Sequence, residues 1–130
     1  AQHLPRSMVK PTPHPIEGTW LPFKAELSGE IAPELALSKI SLTLQTGAYS
    51  VEFGGEPTDS GTYELGFHTE IHTLTLVSLK GTNKGRTIPS IFQLVGDRLR
   101  VCYGLDGETP KTFAAPAGSK LYLVSYRRKN

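Results

Sequence analysis

Ile91-Phe92-Gln93-Leu94-Val95, then Gly96-Asp97, then Arg98-Leu99-Arg100-Val101-Cys102-Tyr103 reads as two strands joined by a two-residue turn. Glycine in the first of the two turn positions suits a type II′ hairpin, whose twist matches that of its strands. Pairing across this turn sets Leu94 opposite Leu99 and Phe92 opposite Val101. Gln93, Arg98 and Arg100 then fall on the other face, together with Cys102. A slip of one residue would exchange the two faces, so this hairpin defines an inside and an outside.

The same period of two runs outward along the chain. Ile40, Leu42 and Leu44 alternate with Ser41, Thr43 and Gln45, and after Thr46-Gly47 the pattern returns through Tyr49, Val51 and Phe53. Gly54-Gly55 breaks that strand before a predicted loop through Asp59. Further strands are predicted over Trp20 to Leu27, Gly61 to Leu65, His72 to Leu79 and Lys120 to Arg127. Only Pro33-Glu34-Leu35-Ala36-Leu37-Ser38 has helical composition, and it is long enough for one or two turns. The expectation is an all-β fold of about eight strands, an antiparallel barrel or sandwich, with one short helical segment.

Composition sets the limits. At 130 residues, the chain is the size of one domain. Residues 1–15 hold Pro5, Pro11, Pro13 and Pro15 with no apolar periodicity, and read as a leader or linker before a barrel domain over 16–130. Fourteen basic against 12 acidic residues leave a net charge of +2, too small for a dedicated nucleic-acid or membrane-surface protein. No run approaches the ~20 apolar residues of a membrane-spanning helix. The single cysteine, Cys102, excludes an internal disulfide and reads as a small buried side chain.

Two features at opposite ends of the chain belong together. Gly18-Thr19-Trp20 resembles the G-x-W signature of lipocalins, in which the Trp closes the barrel floor and stacks on an Arg from the last strand. Arg127 or Arg128 would supply that Arg. Thr87 to Phe92, Gly96 to Tyr103 and Thr109-Pro110-Lys111-Thr112-Phe113 resemble a small bacterial lipocalin-like (calycin) family described chiefly from planctomycetes. Its pattern is a G-[IV]-[YF] strand, a G-D-x-L-x-[LIV]-C hairpin and an R-P-x-x-F loop. This sequence departs from it with Ser90 in place of Gly, Thr109 in place of Arg and His72 in place of Asp. The resemblance implies a lipocalin-like barrel, no established activity, and a secreted or periplasmic location.

Lipocalins bind small apolar molecules inside the barrel, and here Trp20, Phe23, Phe53, Tyr63, Phe92 and Tyr103 are the candidates to line such a cavity. Arg100 and Tyr122 are candidate polar anchors at its mouth. The alternative is a barrel packed solid, acting through its outer surface on a protein partner. A third reading takes His68, Glu70 and His72 as metal ligands, because on a strand all three share one face and would suit Zn²⁺ with an open position. Ala1-Gln2-His3 would hold Cu²⁺ or Ni²⁺ if Ala1 carries a free amine. Paired carboxylates, a nucleophile elbow and a P-loop are not recognisable. The sequence therefore favours a non-catalytic module for a small apolar ligand, with no cofactor and no nucleic-acid partner.

Overall fold

A computed structural model of the chain describes residues 15–68 and 70–129. The predicted leader, with its Ala1-Gln2-His3 motif, therefore lies outside the described residues apart from Pro15. The strands are β1 (Gly18–Leu27), β2 (Glu30–Ile31), β3 (Ile40–Gln45), β4 (Ala48–Phe53), β5 (Glu56–His68), β6 (Ile71–Gly81), β7 (Thr87–Val95), β8 (Arg98–Gly104) and β9 (Leu121–Arg128). One short helix, α1 (Glu34–Leu37), precedes β3. Each strand from β3 to β9 pairs antiparallel with the next, and β1 pairs with both β3 and β9, closing an eight-stranded barrel. The two-residue β2 only extends the end of β1. The all-β antiparallel barrel expected from the sequence is the fold observed.

The β7–β8 hairpin has the expected register, with Leu94 opposite Leu99 and Phe92 opposite Val101. Gly96 adopts φ +58° and Asp97 does not, as the type II′ geometry requires. The inward residues continue around the wall in rows. Leu99 faces Tyr126, Val101 faces Val124 and Tyr103 faces Tyr122 across β8–β9, and all but the partly buried Tyr122 are buried. Part of the outer face of β7 and β8 is covered as well. Ala114 accepts a hydrogen bond from the Cys102 thiol at 3.6 Å, Phe113 lies beneath the Arg100 guanidinium at 4.2 Å, and Ala115 is buried. Residues 105–120 thus form a second layer over this part of the barrel, which is why Cys102 and Ile91 are sealed although they point outward.

The two ends of the barrel differ. One carries the short turns β3–β4, β5–β6 and β7–β8, and Trp20 closes it. The Trp20 side chain is fully buried, its indole N–H donating to the Ile16 carbonyl at 2.8 Å. Of the two predicted arginines, Arg128 faces inward and sits 4.3 Å from the Trp20 ring, while Arg127 is exposed. Arg128 also donates to the carbonyls of Glu17 (2.7 Å) and Pro15 (2.6 Å) and pairs with Asp97. Gly18 is required here: a Cβ would lie 2.7 Å from the Arg128 guanidinium, and its φ of +133° disfavours any other residue.

Along β1 the wall is uneven. Only Gly18 to Trp20 pair with β3, after which β1 follows β9 alone until β2 joins at Glu26. Helix α1 packs beside this parting of β1 from β3, and its Leu37 is buried in the core.

Candidate functional site

The end opposite Trp20 is open. It carries the connections 28–39, 54–55, 82–86 and 105–120, and inside it lies a cavity of about 320 Å³. Pockets for small molecules begin at about 300 Å³, so this one is at the small end of that range. Its apolar wall is built from Ile40, Leu42, Val51, Leu76 and Ile88, with Phe53 and Leu105 at the rim. Four of the five tyrosines also line it: Tyr49, Tyr103, Tyr122 and Tyr126.

These tyrosines are ordered by one another. The hydroxyls of Tyr103 and Tyr126 are 2.7 Å apart in a buried hydrogen bond. Tyr103 and Tyr122 stack, with ring centroids 5.7 Å apart and planes 27° from parallel. Burial pushes the phenols of Tyr103 and Tyr126 well above the usual range and raises that of Tyr122, so all three stay neutral at neutral pH. Burial also raises Tyr49; the Ser78 hydroxyl opposes this, and the negative charge of Asp59 reinforces it.

Asp59 is the polar focus of the cavity. One carboxylate oxygen accepts from the Ser78 hydroxyl at 2.5 Å; the other accepts from Tyr49 and from the Asn83 amide, each at 3.2 Å. These donors come from β4, β6 and the β6–β7 turn, so a single carboxylate ties three segments together. Ser78 is 1% exposed, and its neighbour across β5–β6 is Gly61. Asp59, Gly61 and Tyr63 share the inward face of β5, a strand that begins at Glu56 rather than at Gly61 as predicted. Asp59 therefore lies in the wall, not in a loop. Pro57 is tolerated because β6 pairs with β5 only from Asp59 onward, so the proline has a partner on one side alone.

Of the aromatics picked from the sequence, Phe53 and Tyr103 line the cavity. Trp20, Tyr63 and Phe92 are buried in the core below it. Phe23 lies on the outside, 41% exposed beneath the Arg98 guanidinium, because alternation from the inward Trp20 and the buried Pro22 places it on the outer face. Tyr122 lines the cavity, whereas Arg100 is on the outer face, hydrogen-bonded to Gln93 and stacked on Phe113. Sequence reasoning missed Asp59, Tyr49, Tyr126 and Asn83. Alternation counted backward from Tyr63 reaches Asp59 and was the available signal.

The proposed metal ligands sit at the β5–β6 turn. Glu70 occupies the turn itself with φ +65°, so strand alternation does not carry it onto the face of His72. The His72 ring packs between Phe67 and Phe92, at 4.8 and 5.3 Å. The His68 side chain and Thr69 lie outside the described residues. Among the described residues, no group of three His, Cys, Asp or Glu side chains is arranged to hold a metal ion. No helix among them is long and apolar enough to cross a membrane. Searched against protein-family models, curated proteins and solved structures, the chain matches none of them.

Proposed function

We propose that this protein is a lipocalin-like binding module that takes a small, largely apolar molecule into the open end of its barrel. The observation that carries this reading is the cavity of about 320 Å³, floored by packed core residues and open at one end only. Its wall is mainly aliphatic and aromatic, with few polar groups, the composition of sites that bury most of a ligand's surface. Tyr49, Tyr103 and Tyr126 belong to the buried core and, with the partly buried Tyr122, also line the cavity, so the aromatic core continues into its wall. The G-x-W resemblance supports the same reading, with Trp20 and Arg128 as the floor. Binding without chemistry fits a wall whose described polar groups are hydroxyls, the Asn83 amide and one carboxylate, with neither thiol nor imidazole among them.

The test is a fluorescence titration with the neutral probe N-phenylnaphthylamine, on the wild type and on Val51→Phe. Val51 lines the cavity and is only partly buried, so the larger ring occupies binding space without entering the packed floor. The expected result is saturable one-to-one binding that weakens by about tenfold or more in the variant, a loss of about 1.4 kcal/mol. Absence of saturable binding by wild-type protein, or equal binding by a folded Val51→Phe, would overturn the reading and favour a surface-acting domain.

A further inference from the structure

The geometry points to a positively charged organic ligand, an aryl or alkyl ammonium, held with its cationic head on Asp59 and its apolar body among the tyrosine rings. This rests on the binding reading above and adds the ligand's charge to it.

Three observations lead there. First, Asp59 is the only carboxylate in the described cavity lining, which has no lysine, arginine or histidine. The chain as a whole is basic, with 14 Lys and Arg, yet none of the described ones lines the cavity. Second, the partners of Asp59 are neutral: two hydroxyls and one amide. The one ion pair among the described residues, Arg128–Asp97, belongs to the opposite end of the barrel. Asp59 is half-buried, and a ligand that displaces water from it favours a countercharge at its carboxylate. Third, the surrounding surface is aromatic. Ring faces carry negative potential and attract ammonium groups, most strongly where water is excluded. Tyrosines kept neutral by burial add that attraction without adding net charge.

The same arrangement discriminates. A carboxylate ligand such as a fatty acid would bring a second negative charge beside Asp59, and the Arg86 guanidinium at the rim is already bonded to Asn83 and the Leu105 carbonyl. A neutral ligand would leave the Asp59 charge uncompensated. A cation is the one charge type that the wall favours over both.

Three probes of nearly equal shape test this by calorimetry at neutral pH: naphthylethylamine, naphthylethanol and naphthylacetate. The expected order is amine, then alcohol, then acetate, with the amine at least about tenfold tighter than the alcohol. In Asp59→Asn, which preserves shape and most hydrogen-bonding capacity, the amine-to-alcohol ratio falls to about one while the alcohol binds as before. Equal binding of amine and alcohol by wild-type protein would overturn the charge assignment and leave the cavity reading standing. So would an amine preference that survives in folded Asp59→Asn. Failure of all three probes to bind would overturn both. The wild-type ranking needs no variant, so the inference is decided even if Asp59→Asn does not fold.

Discussion

Arg128 is the side chain on which the closed end depends, and its removal has a calculable cost. Arg128→Ala deletes a cation–π contact with the fully buried Trp20, worth about 1–2 kcal/mol. It also deletes two guanidinium hydrogen bonds to the Glu17 and Pro15 carbonyls, each worth about 1 kcal/mol net at this part-exposed rim. The ion pair with Asp97 adds little, because the Asp97 side chain is 77% exposed. Together these give a loss of about 3 kcal/mol. With a urea m-value of about 2 kcal/mol/M, the unfolding midpoint should fall by about 1.5 M. Trp20 is the only tryptophan, so its fluorescence reports directly on this end, with circular dichroism as the global probe. Arg128→Lys should recover no more than about half of the loss, since an ammonium can neither stack nor reach both carbonyls as a planar fork does. A double-mutant cycle with Trp20→Phe should show a coupling of about 1 kcal/mol. If Arg128→Ala stayed within about 0.5 kcal/mol of wild type, or Arg128→Lys matched it, the closed end would not rest on this side chain.

The Tyr103–Tyr126 hydroxyl pair predicts non-additivity: each single Phe variant strands a buried hydroxyl and should cost about 1–2 kcal/mol, while the double variant should cost less than their sum. Chemical denaturation of the four proteins decides it, and additivity would contradict the pairing. Alkali should unfold the barrel cooperatively. All five phenols are raised in the fold, so their contribution is complete below pH about 10, where free tyrosine ionises. It declines above that by about 1.4 kcal/mol per pH unit for each tyrosine still protonated. Phenolate absorbance should rise together with loss of the far-ultraviolet signal; phenolate formation near pH 10 in an intact barrel would contradict the burial. Gly61→Ala should destabilise by several kcal/mol, about 2–4, because a Cβ would stand 1.9 Å from the Val77 carbonyl at the β5–β6 irregularity. A thermal melt unchanged from wild type would show that the irregularity relaxes freely.

What the sequence revealed follows from where local rules are strict. The β7–β8 register was legible because a two-residue turn leaves no freedom in pairing, and Gly96-Asp97 names the turn type. The Trp20–Arg128 floor was legible from a triplet and a terminal arginine, but only the inward parity of β9 chose Arg128 over Arg127. Asp59 was hidden by its neighbours. Gly54, Gly55, Pro57 and Gly61 all punctuate the stretch, and together they read as a loop, whereas β5 runs through thirteen residues with irregular pairing on both sides. Phe23 faces outward by plain alternation from the inward Trp20, three residues before it, and the irregularity that follows turns Ala25 rather than Lys24 inward. Whether aromatics fill a barrel or line a space depends on the height of each along the axis. Tyr63 and Phe92 fall at core level and Tyr103 at cavity level, although all three look alike in sequence.

The parting of β1 from β3 gives the barrel a preferred place to yield. The strands from β4 to β9 each have a ladder on both edges over most of their length, so none of them can leave without breaking two ladders. From Leu21 to Lys24, β1 is held by β9 alone, and α1 with Leu37 takes the place of the missing ladder. A four-residue helix has little stability of its own, so here the wall is latched by side-chain packing. Amide protons of this stretch of β1 should exchange with solvent sooner than those of β7 and β8 beneath their second layer. Leu37→Ala should widen that difference while leaving the distant hairpin protected. The molecule is thus built as a stave barrel with one hatch, and a guest too large for the rim would have its second route in along that side.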